Sequence, residues 1–97
     1  MTINWTLVLL DSRVPETVEE AVDRLMMILD DAQLNSITVM PEENLFTLHF
    51  SLGIAIRNAF SLHESGSNLL ASCGAAHPDD ASELIIKKLW IKLNHGD

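Results

Sequence analysis

A chain of 97 residues, 47% of them hydrophobic and 21% charged, has the length for one domain around one hydrophobic core. Its 14 Asp and Glu against 6 Lys and Arg leave a net charge of −8, which argues against nucleic acid or an anionic membrane as a direct partner, since either needs a basic patch. A single cysteine excludes an intramolecular disulfide and a Cys-only zinc site.

Trp5 to Leu10 is an apolar run whose period does not separate a strand from a short helix. No positive n-region precedes it, so a signal peptide is not expected, and no apolar run approaches the roughly 20 residues of a membrane span. The expectation is a cytoplasmic protein. Pro15 ends the run, and Thr17-Val18-Glu19-Glu20 reads as a capping box that opens a helix. At 100° per residue, Val18, Ala21, Val22, Leu25, Met26, Ile28 and Leu29 share one face, and Glu19, Glu20, Asp23 and Asp30 share the other. Met27 breaks the pattern by standing among the carboxylates, either as a stray surface methionine or as the apolar anchor of an interface.

Asp30 to Ile37 continues as a turn or short helix, and Pro41-Glu42-Glu43-Asn44 supplies a new helix start. Residues 45–60 then read as an apolar helix at the centre of the fold. Leu45, Leu48, Leu52 and Ile56 make one stripe, Phe46, Phe50 and Ile54 another, and only Thr47, Ser51 and Asn58 give a narrow polar wedge. Gly53 within it marks a point where a neighbouring helix crosses closely. Ser61 to Ser67 is a loop, Asn68 to Cys73 a short helix ending at Gly74, and His77-Pro78-Asp79-Asp80 the start of the last helix. Ala81, Ile85, Ile86, Leu89, Trp90 and Leu93 form that helix's core face, while Leu84 and Ile91, on the side otherwise given to charge, receive either the oily N-terminal segment or a partner, the first being the expectation because a small chain needs the extra cover. The predicted architecture is a single all-α domain over residues 1–97, a compact bundle of four to five helices around the central helix at about 45–60.

Arg57 falls on a helix expected to be buried, where an unpaired guanidinium would cost several kcal/mol. Asp79 and Asp80, at the mouth of the last helix, are its candidate partners in a structural clamp, with His49 as a core histidine bonded to a carbonyl. His49, His63, His77 and His95 show no metal-ligand spacing. Cys73, His77 and Asp79 are near one another in sequence only, and the chain has no phosphate loop, nucleophile elbow or H-E-x-x-H. A non-catalytic protein without cofactor or metal is the expectation.

Charge is distributed unevenly. Residues 1–48 carry nine carboxylates against Arg13 and Arg24, a net −7, while residues 49–97 carry five against Arg57, Lys87, Lys88 and Lys92, a net −1. Such an asymmetry either solvates one face or presents it to a basic partner.

Three stretches carry a resemblance: residues 17–25, the run Leu48-His49-Phe50-Ser51-Leu52-Gly53-Ile54-Ala55-Ile56-Arg57-Asn58-Ala59-Phe60, and His77-Pro78-Asp79-Asp80-Ala81-Ser82. They resemble a family of small bacterial helical domains that share H-F-G-L-G-x-x-I-R-N and H-P-D-D-x-S. Ser51 departs from the family's Gly, and Ala55 and Ala59 stand where bulkier residues are frequent. The resemblance implies a fold and no reaction. In size and charge the chain is similar to immunity partners of toxins delivered by contact-dependent inhibition. Because a nuclease presents a basic cleft, the expected function is an acidic immunity protein that covers the active site of such a toxin. Glu19, Glu20, Asp23, Met27, Asp30, Asp31, Glu42 and Glu43 are then the binding residues. The alternative is a non-catalytic interaction or regulatory module for some other partner.

Overall fold

The computed structural model describes residues 14–64 and 66–95, and among these every regular element is helical. Helix α1 spans Val18–Ile28, α2 Asp31–Thr38, α3 Leu52–Ala59, α4 Asn68–Cys73 and α5 Pro78–His95, with a 3-10 segment at Glu42–Phe50 between α2 and α3. No described helix is long and apolar enough to cross a membrane. The apolar run Trp5 to Leu10, and its expected docking on Leu84 and Ile91, lie outside the described residues.

The first two helices start where their side chains can satisfy orphan amides. Thr17 Oγ1 accepts from the Glu20 amide at 3.2 Å, and Glu20 reaches back to accept from the Glu16 amide at 2.9 Å. Asp30 caps α2 by accepting from Gln33 N at 2.8 Å, while Gln33 Oε1 accepts from Asp30 N at 3.0 Å. Between these caps, Leu29 leaves the helix in an extended conformation, so the chain turns and α2 begins anew. Helix α4 is fastened to α1 by the Val18 amide, which donates to Ser72 Oγ at 3.1 Å.

Two features correct the expectation for residues 45–60. The segment is not one helix, because the chain breaks at Ser51, whose φ of −122° and ψ of −84° belong to neither flanking element. Upstream the winding is 3-10, with three residues per turn, so Leu45 and Leu48 align and are buried while Phe46 aligns with His49. Downstream the α period buries Leu52, Gly53, Ile56 and Arg57. The stripe of Phe46, Phe50 and Ile54 is therefore not a core stripe: Phe46 is 67% and Phe50 79% exposed. The second correction concerns the centre of the fold. Every other described element packs on α5, which makes the C-terminal helix the hub among the described residues. Its Ala81, Ile85, Ile86 and Leu89 meet Leu25, Ile37, Leu52, Ile56 and Phe60 in one core cluster. Trp90 adds a polar tie, its Nε1–H donating to the Met40 carbonyl at 2.7 Å.

Helix α3 closes with a Schellman turn. The Leu62 amide donates to the Arg57 carbonyl at 3.1 Å, and Ser61 N reaches Asn58 O at 3.4 Å. Buried Leu62 supplies the apolar contact that accompanies this turn. The turn requires a left-handed residue, and Ser61 takes that role at φ 55°. An L side chain there costs about 1 kcal/mol that glycine avoids. Ser61→Gly is thus expected to raise unfolding free energy by about 0.5–1 kcal/mol in urea melts, and a loss of stability would show that Ser61 contributes more than its backbone conformation. Leu89→Ala, by contrast, removes a fully buried side chain from the hub and is expected to cost about 2–5 kcal/mol in the same assay.

Candidate functional site

The most buried charge among the described residues is Arg57, 7% exposed on the face of α3 that meets α5. Its Nε lies 3.3 Å from Asp79 Oδ1, and its Nη1 donates to Ser82 Oγ at 2.9 Å. The Ser82 hydroxyl in turn donates to the Asp79 carbonyl at 2.9 Å, so one cation joins a carboxylate and a hydroxyl from the first turns of α5. Gly53, one turn before Arg57, leaves room for this fork. A Cβ on it would stand 3.1 Å from Arg57 Nη1, 3.5 Å from Leu48 O and 3.7 Å from Ser82 Oγ. Asp79 is the carboxylate that binds Arg57. Asp80, the other expected partner, points to solvent and makes no ion pair among the described residues, because consecutive helix positions diverge by about 100°. Sequence reasoning missed Ser82, although its place three residues after Asp79 puts it one turn further along the same side.

His49 departs from the expected core histidine bonded to a carbonyl. It is half-buried, its Nδ1 is buried without a hydrogen-bond partner, and the nearest carboxylate oxygen, Glu83 Oε1, lies 4.0 Å away. Its ring meets Phe50 edge to face, with centroids 5.0 Å apart. His49 lines a groove of about 320 Å³ between the 3-10 segment and α5, together with Leu45, Phe46, Glu42, Glu83, Ile86 and Lys87. Lys87 Nζ and Glu42 Oε2 close one end of it at 3.3 Å.

The acidic residues expected to bind a partner fall into two groups. Glu20 and Asp30 serve helix caps, Asp23 holds Lys92 Nζ at 2.6 Å, and Glu42 holds Lys87. Glu19, Asp31 and Glu43 are exposed and make no ion pair among the described residues. Met27 is 82% exposed on α1. Glu42 and Glu43 belong to the 3-10 segment rather than to the helix that carries Glu19 and Met27.

Cys73, at the end of α4, is half-buried, with Sγ 3.9 Å from the Ala81 carbonyl. Burial pushes its thiol above the ordinary range, opposite to what a nucleophile requires. Among the described residues no group of three His, Cys, Asp or Glu is placed to hold a metal ion.

The fold and these sites define a small all-α domain, pinned by one buried cation and bearing exposed apolar side chains on a negative surface. A family model described as a domain of unknown function, DUF6794, matches residues 14–93, and the chain belongs to that family. No curated protein and no solved structure matches it.

Ser82→Ala would leave a buried guanidinium donor unpaired and is expected to cost about 1–3 kcal/mol in denaturant unfolding. Arg57→Met, which removes the charge with its need for partners, should cost less than Ser82→Ala if the cluster is purely architectural. For Cys73, a thiol raised by burial holds less thiolate at pH 8, so alkylation by iodoacetamide should be slower than for a free thiol and should recover fully in denaturant.

Proposed function

We propose that this chain is a non-catalytic binding domain for a basic protein, an acidic cytoplasmic immunity protein that covers the active site of a nuclease-type bacterial toxin. The observation that supports this reading is Met27, 82% exposed on the helix that also carries Glu19, Glu20 and Asp23. A nuclease has to gather phosphates in a basic cleft, and a compact negative domain competes for that cleft by the same attraction. Long-range attraction sets the encounter rate, while a desolvated apolar side chain sets residence time. Glu20 and Asp30 contribute to the negative field even while serving caps, whereas Asp23 is paired with Lys92. Glu19 and Asp31 are exposed and make no side-chain hydrogen bond or ion pair among the described residues, so changing their charges costs the fold no more than their favourable place in the first turns of α1 and α2. The alternative, an interaction module for another class of partner, draws its support from Phe46 and Phe50, exposed away from the acidic helix.

The test uses the protein encoded by the adjacent upstream gene, the expected toxin. It should bind this chain with an association rate that falls as salt rises. Glu19→Lys combined with Asp31→Lys should slow association by about tenfold and flatten the salt dependence. Met27→Ala should mainly speed dissociation and reduce protection of cells expressing the toxin. Unchanged association and protection in both variants would refute this surface, and absence of any binding would refute the toxin reading.

A further inference from the structure

The groove between the 3-10 segment and α5 does not belong to the acidic helix face. Glu83 on α5 lies at its rim, whereas Lys92, nine residues on, holds Asp23 of α1. Nine residues is about 180° of helical rotation, so the two features occupy opposite sides of α5.

The groove has a definite chemistry. Buried Leu45 and Ile86 make an apolar floor, and Phe46 stands beside them with its ring mostly in solvent. At one end the Glu42 carboxylate is already neutralised by Lys87. One turn earlier on α5, Glu83 is exposed and accepts no hydrogen bond among the described residues; His49 Nδ1 stands 4.0 Å from it, at the limit of an ion pair and beyond hydrogen-bonding distance. An apolar trough with an aromatic wall and an unspent carboxylate suits a side chain with an aliphatic stem and a planar cationic head. A simple apolar occupant would leave the rim carboxylate of Glu83 without a new partner, and an anion would be repelled by it.

We propose that this groove takes an arginine side chain of a protein partner. The stem lies on Leu45 and Ile86, the guanidinium stacks on Phe46, and its N–H groups donate to the Glu83 carboxylate. The site stands independently of the surface around Glu19, Asp31 and Met27, because, Glu42 apart, it uses none of the expected toxin-binding residues and lies on another side of the hub helix.

The probe is N-acetyl-arginine methylamide, titrated into the full ¹⁵N-labelled chain and followed by amide and imidazole shifts. Saturable shifts confined to residues around Phe46, His49 and Glu83 are expected. The neutral isostere N-acetyl-citrulline methylamide should bind at least about fivefold more weakly. Phe46→Leu and Glu83→Gln, both at exposed positions, should each weaken the arginine probe about threefold or more while leaving the thermal midpoint in place. Free arginine, whose α-carboxylate would face the acidic rim, should bind more weakly than the blocked probe. Equal binding of the citrulline analogue, tighter binding of free arginine, no effect of either variant, shifts centred on Glu19 and Asp31, or no saturable binding would each overturn the proposal. None of these outcomes depends on whether Glu19, Asp31 and Met27 engage a toxin.

Discussion

The arrangement of this domain depends on one burial: a guanidinium, almost removed from solvent, at the crossing of α3 and α5. A buried cation cannot be left to water, so the helix that crosses it has to deliver acceptors at fixed positions. Asp79 and Ser82 do so from the N-terminal end of α5, where the helix dipole also favours the carboxylate. Meeting those acceptors requires close approach, and Gly53 permits it where a Cβ would press on Arg57 and Ser82. The contact joins α3 to the N-terminal end of α5, on which the other described elements also pack.

The same contact orders the surface. His49 lies four residues before Gly53, and Glu83 directly follows Ser82, so the two walls of the groove are extensions of the clamped pair. His49 Nδ1 and Glu83 Oε1 face each other across the groove at 4.0 Å. At its other end α5 holds Asp23 through Lys92. One rigid helix fixes a groove on one side and the acidic helix on the other.

Much of this is legible in the residues, and the exceptions have physical causes. The caps at Thr17, Gly74 and Pro78 act within a few residues, so the boundaries of α1, α4 and α5 follow from local chemistry. The pairing of Arg57 with an aspartate follows from the expense of an isolated buried charge, without knowledge of the fold. What fails is any inference that assumes one helical period across residues 45–60. At 100° per residue Phe46, Phe50 and Ile54 align; at the 120° of a 3-10 turn they do not, and the aromatic pair goes to solvent. The break falls on Ser51. A periodic pattern carries no information on where the period changes, and hydrophobicity alone cannot say which of two apolar stripes finds a neighbour.

The acidic face shows the same limit in electrostatic form. Composition counts a carboxylate once, yet in the folded chain Glu20 and Asp30 act at short range on amide groups and at long range on the surrounding potential. Hydrogen bonding to an amide does not remove the charge; it fixes where the charge sits. A negative surface assembled from capping residues is consequently more rigid than one made of free side chains, and rigidity lowers the entropy lost when a partner docks. On the proposed function, stability and recognition draw on the same residues along α1, whereas in the proposed arginine groove they are divided: Arg57, Asp79 and Ser82 lie in the buried cluster, and Phe46 and Glu83, outside it, face solvent. The groove can therefore change its chemistry by substitution without loosening the crossing that shapes it, which α1 cannot do at its caps.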